Sequence, residues 1–346
     1  MFRQTQRTRT PRIKPRRDQE GAMIRMLVKL ASILLFVLAT SSLSKAENAD
    51  VANPAVFVRA LVNAPDGQAD FSRAKLAVDK FVDPSINEEA ALAETDAMMV
   101  MVDEMLSSLP PEAASTSMEK MKALRTFLYE GGWWNNSRPF EYDLSDPYGQ
   151  KLGSQSLPNY LATKKGNCVS MPILFLILGK RLNLDVTLST APLHVFVKFT
   201  DDATGKTWNL ETTSGAGFTR DAWYRQKVPM TDDAIANGVY LKTLSQREAL
   251  SIIATPILDN LIAAGRYDEA VAVADVLMEA YPANAYTLVK KGTAYYRLLD
   301  ANIIKKYPKR SDIPADRIAY ANDLYVANKQ SFAKAEALGW REPKLN

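Results

Sequence analysis

Apolar side chains recur every three or four residues over 71–82, 88–109 and 117–129, which predicts three amphipathic helices. Pro110-Pro111 breaks the second, and Ser117 opens the third with Glu119 and Lys120 in its first turn. The pattern then fails. Residues 130–158 are rich in Gly, Asn, Ser and Pro and carry Trp133 and Trp134, so a long loop of the kind that binds ligands is expected there. Periodicity returns over 168–182 as a helix that is apolar on every side (Met171, Ile173, Leu174, Phe175, Leu176), and such a helix is buried. The period then changes to alternation: 185–190, 193–199 and 206–212 read as strands, with Asp201-Asp202-Ala203-Thr204-Gly205 as the turn between the second and third. Helices followed by an antiparallel sheet make an α+β domain, expected over 69–245.

From about Glu248 the pattern is wholly helical. Gly265-x-Tyr267-x-x-Ala270, Pro282 and Gly292-x-x-Tyr295 fit the tetratricopeptide spacing, with 315–338 a divergent third unit after an insertion at 305–310. An all-α tetratricopeptide-like region is thus expected over 246–346, and stacked units of that kind form concave surfaces that hold a partner protein. Upstream, residues 47–68, with Pro54 and Pro65, read as a linker. Residues 1–46 read as a basic extension and a signal peptide. The stretch from Met23 to Lys29 is a positive lead, 30–39 is apolar, and small residues run to Ser44-Lys45-Ala46, with cleavage expected after Ala46. The apolar stretch is shorter than the roughly 20 residues of a membrane span. The mature chain is therefore expected to be exported, periplasmic or secreted, and membrane-anchored only if the signal is retained.

Composition narrows the function. The 346 residues are 47% apolar and 24% charged, as in ordinary globular proteins. The net charge of +4 comes from the first 46 residues, which hold ten basic against two acidic side chains; the rest is net acidic, and no nucleic-acid partner is expected. One Cys and one His exclude disulfides, Cys-based clusters and multi-His sites, so neither metal nor cofactor is expected.

Cys168 and His194 both fall in the α+β region, 26 residues apart. Cys168 follows Gly166-Asn167 and opens the buried helix, where free amides and the helix dipole stabilise a thiolate. His194 begins a strand, and a neutral imidazole beside that sulfur takes its proton and activates it toward acyl carbons. The next strand carries Asn209 and Glu211, two residues apart and so on one face, either of which fits as the group that fixes the imidazole tautomer. Upstream polar side chains, Gln155, Asn159 and Tyr160, are candidate oxyanion donors. The residue types alone also fit an inert core, because free Cys is among the most buried residues. Trp133-Trp134 fit either a substrate wall or loop packing.

Gly166-Asn167-Cys168-Val169-Ser170-Met171-Pro172, Pro192-Leu193-His194-Val195 and Trp208-Asn209-Leu210-Glu211-Thr212 together resemble the bacterial transglutaminase-like proteins. The resemblance covers roughly residues 70–300. It implies a papain-like core with a Cys–His–acid triad, here Cys168, His194 and Glu211, attacking an amide carbonyl through a thioester. The usual acid in that family is Asp, one methylene shorter than Glu211. The expected function is a cysteine-dependent acyl-transfer enzyme of peptidase, amidase or transglutaminase type, acting on a peptide or protein. The alternative is a non-catalytic protein-binding module that uses the same core and the helical repeats as a scaffold. A peptidoglycan-directed amidase is a third reading, prompted by export alone.

Overall fold

The computed structural model describes residues 53–343. The basic extension and signal peptide expected over 1–46 lie outside those residues. Helix α1 (Pro54–Val62) begins at once: Asn53 Oδ1 accepts the amides of Ala55 (3.1 Å) and Val56 (3.3 Å), and Pro54 sits at the first helical position, where its missing amide costs nothing. Of the linker expected over 47–68, residues 47–52 lie outside the described residues, and the rest is corrected here, since Pro54 starts a helix instead of interrupting the chain. Val58 and Val62 are buried.

The three helices expected next are present, each started by a side-chain cap. They are α2 (Phe71–Val82, capped by Asp70), α3 (Glu88–Ser107, capped by Asn87) and α5 (Ser117–Tyr129, capped by Thr116), with the single-turn α4 (Pro111–Ala114) after the expected break. On α2, Lys75 and Asp79 form a fully buried ion pair. Burial pushes the Asp79 carboxyl up against the pull of Lys75. Its other oxygen accepts the Leu157 amide at 2.8 Å. Asp79→Ala would leave a buried ammonium without its carboxylate, so a loss of about 3–5 kcal/mol in urea denaturation is expected; a loss under about 1 kcal/mol would show that the pair carries no such role.

The long loop expected over 130–158 contains short elements: β1 (Glu141–Tyr142), α6 (Leu152–Gln155) and the start of α7 (Leu157–Thr163). β1 pairs in parallel with β2 (Lys165–Gly166), Tyr142 opposite Gly166. Gly166 is required there, because a Cβ would lie 2.4 Å from the Tyr160 ring.

α8 (Ser170–Arg181) follows, and from Met171 to Leu178 every side chain is buried. Each of its large apolar groups contributes about 1.5–3 kcal/mol by leaving water. The sheet is an antiparallel meander, β3 (Asp185–Ala191), β4 (His194–Asp201), β5 (Lys206–Glu211) and β6 (Gly217–Thr219), paired in that order. β4 is central and buried on both faces: Val197 and Phe199 join the core with α8, while Phe196 joins a second cluster with Tyr224 and Val239. α9 (Asp221–Lys227) and α10 (Asp232–Ala236) then lead to the helical region.

That region comprises α11 (Gln246–Ala263), α12 (Tyr267–Ala280), α13 (Ala285–Leu299) and α14 (Ala315–Ala337). Consecutive helices pack on one another, and the first two connections are short, as in antiparallel helical hairpins. Gly265 (φ +75°) ends α11 in the left-handed conformation that favours glycine. Gly292 admits the Phe332 ring, which would stand 2.7 Å from a Cβ. Among the described residues no helix is long and apolar enough to cross a membrane.

The boundary expected at 245/246 is not a gap in packing. One continuous core holds Leu76, Leu174 and Val197 together with Leu250, Ile257 and Leu277. Residues 238–244 seal the seam. Leu241 and Leu244 donate to the Thr190 (2.9 Å) and Leu188 (3.2 Å) carbonyls of β3, and the Tyr281 hydroxyl donates to the Gly238 carbonyl at 2.8 Å.

Candidate active site

Cys168 lies in the turn before α8, two residues ahead of the first helical residue. The cap is Asn167: its Oδ1 accepts the Val169 (3.0 Å) and Ser170 (3.1 Å) amides, and its own amide donates to Ser170 Oγ at 3.0 Å. Asn167 Nδ2 also donates to the Ser154 carbonyl and hydroxyl, both 3.1 Å, which ties the turn to α6. The amides expected to face the sulfur are thus taken by Asn167. The Cys168 amide itself points at the Pro147 carbonyl, 3.5 Å away.

Pro192 and Leu193 form the two-residue turn between β3 and β4, with Ala191 opposite His194. Pro192 supplies the fixed φ of a turn's first central position, and Leu193 takes the second at φ +54°, a left-handed conformation normally left to glycine. This turn brings the Leu193 carbonyl to 3.5 Å from Cys168 Sγ, to which the thiol donates. His194, the next residue, stands beside the same sulfur.

His194 Nε2 donates to Glu211 Oε2 at 2.8 Å, which leaves Nδ1 for the cysteine. Glu211 closes β5, is 2% exposed, and is fully satisfied. The Tyr224 hydroxyl donates to Oε2 (2.9 Å), while the Thr213 amide (3.1 Å) and hydroxyl (2.6 Å) donate to Oε1. Burial works against the charge on Glu211, but His194, Thr213 and Tyr224 outweigh it and hold the carboxyl below its ordinary range. Burial likewise disfavours a charged His194; hydrogen bonds and attraction from Cys168 and Glu211 prevail and raise its pKa to about 9. This polar environment favours a charged imidazolium between sulfur and carboxylate.

Of the two candidate orienting groups, Glu211 reaches the histidine. Asn209, on the same strand face, instead accepts from buried Lys198 (2.8 Å) and donates to Asp221 (2.7 Å). Gln155 is buried and donates to the Gly149 carbonyl at 2.5 Å. Asn159 is exposed on α7, and Tyr160 is fully buried with its ring 5.0 Å from that of Phe140. Trp134 packs on the core, whereas Trp133 is 63% exposed.

Tyr224, Thr213 and Tyr142 were not singled out by sequence reasoning. Tyr224 stacks on Phe196 (4.2 Å between rings) as well as bonding Glu211, and it comes from a seven-residue helix with no periodic signal. Thr213 had a legible signal, since a Glu followed two residues later by Thr at a strand end can cap the turn with its side chain. Tyr142 donates to the Pro147 carbonyl at 3.1 Å, the same oxygen the Cys168 amide faces.

The arrangement can ionise a thiol, move its proton to Nδ1 and hold the resulting imidazolium in one orientation. A family model described as transglutaminase-like superfamily matches residues 89–254, a span that includes Cys168, His194 and Glu211. No curated protein and no solved structure matches the chain.

Proposed function

Because residues 89–254 are a transglutaminase-like superfamily domain, we propose that this chain is a cysteine-dependent acyl-transfer enzyme acting on peptide or protein amides. The observation that carries the reading is the His194–Glu211 bond beside Cys168, in a carboxylate site with every oxygen satisfied. The Cys168 proton passes to His194 Nδ1, and the sulfur pair forms a C–S bond while the carbonyl π pair moves to oxygen. That pair returns as the C–N bond breaks, and the departing amine takes the imidazolium proton. Water or an amine then attacks the thioester, gives its proton to His194, and releases the sulfur.

The basic, apolar and small segments over 23–46 support action in an exported compartment. With the tetratricopeptide-like spacing of the helical region, the same chain offers a surface for a partner protein. A scaffold role is favoured by one observation: Cys168 is only 2% exposed and its thiol is turned to the Leu193 carbonyl.

Mixing the full chain with p-nitrophenyl acetate separates the two. A burst of about one p-nitrophenol per chain is expected, absent from Cys168→Ala, with mass spectrometry finding acetyl on Cys168. An equal burst from Cys168→Ala, or none from the wild type, would leave the scaffold reading.

A further inference from the structure

One carbonyl oxygen, that of Pro147, lies between two donors: the Tyr142 hydroxyl at 3.1 Å and the Cys168 amide at 3.5 Å. The amide of the residue that bears a nucleophile faces the place where an attacked carbonyl collects negative charge. Here that place is filled by a carbonyl of the chain itself, from the loop between β1 and α6. We propose that the Tyr142 hydroxyl and the Cys168 amide form the oxyanion hole, that the Pro147 carbonyl stands in for the substrate oxygen, and that the loop over 143–151 must move aside to admit substrate.

The inference rests on the acyl-transfer reading and adds to it a catalytic residue and a self-occluding contact. Three features support it. The parallel pairing of Tyr142 with Gly166 fixes the phenol two residues ahead of the nucleophile. Burial, then the negative charge drawn to Cys168, pushes that phenol up to about 12, so it stays a donor throughout the neutral range. The loop is also bonded mainly to itself and to α6. Asp146 accepts the Gln150 (2.8 Å) and Lys151 (3.1 Å) amides, and Gln155 holds the Gly149 carbonyl. Leu144 and Tyr148 at its tip are 81% and 47% exposed, while Cys168 is 2% exposed. Something must uncover Cys168 before it reacts, and the carbonyl that occupies its amide, that of Pro147, belongs to this loop.

In the addition step the sulfur pair makes the C–S bond and the carbonyl π pair settles on oxygen. The Tyr142 O–H and Cys168 N–H donate to that oxygen without transferring a proton, and the pair returns when the leaving group departs. Alkylation by iodoacetamide forms a C–S bond at a saturated carbon with loss of iodide and generates no such oxygen.

The test compares the full-length wild type with Tyr142→Phe in both reactions. Acylation by p-nitrophenyl acetate is expected to slow about 10²–10³-fold in Y142F, while iodoacetamide labels Cys168 at the wild-type rate or faster, because the loop has lost an anchor. Equal acylation overturns the assignment. So does a parallel fall in both reactions, which would mean that Tyr142 only supports the fold. The infrared carbonyl band of the acetyl-Cys168 thioester keeps the proposal testable if Y142F does not fold. It is expected at lower frequency in the native wild type than in the denatured acyl-enzyme, and coincident bands overturn the proposal. A wild type that gives no burst fails in a different way, removing the acyl-transfer reading and this inference with it.

Discussion

Glu211→Gln is expected to reduce acylation by about 10⁴-fold with the protein still folded, because it reverses the histidine tautomer. Four groups around the carboxylate are donors: the Thr213 amide and hydroxyl on Oε1, and His194 Nε2–H and the Tyr224 hydroxyl on Oε2. An amide in that position has one oxygen and one NH₂. The Thr213 main-chain N–H cannot turn into an acceptor, so the amide oxygen takes the Thr213 side and the NH₂ faces the histidine. His194 must then present an unprotonated Nε2, and its proton moves to Nδ1, the nitrogen that has to receive the one from Cys168. Stopped-flow release of p-nitrophenol reads the effect, and circular dichroism checks the fold. A loss of less than tenfold would mean that the carboxylate does not set the tautomer.

The second large effect is on stability. His194 is raised from an ordinary value of 6.5 to about 9, and its protonated form is therefore favoured by folding. The contribution is complete below the unfolded-state pKa, declines as the unfolded chain loses its proton, and is gone once pH passes the folded value. Glu211 acts in the opposite sense. Its carboxyl is held low, so its contribution is complete above the usual carboxylate range and fades as pH falls through the depressed value. The pair is at full strength only between the two unfolded-state values, roughly pH 5 to 6.5. Comparing wild type with His194→Ala by urea denaturation isolates this, since the cavity left by the ring does not titrate. The wild-type advantage is expected to peak in that window and to shrink by about 3 kcal/mol by pH 10. A difference that stays flat with pH would show that His194 is not charged in the native state. In the proposed mechanism the same proton is the one delivered to the leaving amine, so turnover should decline above about pH 9.

How much of this was legible depended on whether contacts are local or distant. Cys168, His194 and Glu211 stood out because each sits at the edge of an element with a strong period: a wholly apolar helix, then two strands joined by an obvious turn. Elements too short to show a period were not readable. Tyr142 belongs to a two-residue strand and Tyr224 to a seven-residue helix, and both reach the site through long-range pairing that no spacing encodes. Pro54 was misleading because proline both breaks helices and starts them; only the Asn53 cap distinguishes the two cases. The start of α8 moved from Cys168 to Ser170 for a similar reason, with Asn167 claiming the first amides. Gln155 was a reasonable oxyanion donor from its position, yet its amide braces the loop whose Pro147 carbonyl faces the Cys168 amide.

The common interior of sheet and C-terminal helices also bears on how such a chain can diversify. Leu277 and Val197 share one apolar interior, and the Tyr281 hydroxyl holds the strap along the sheet edge. Splicing a foreign helical array after residue 245 would cut through that interior, not through a hinge. The two halves must therefore change in concert, and any alteration to the outer helices is constrained by the packing behind Cys168.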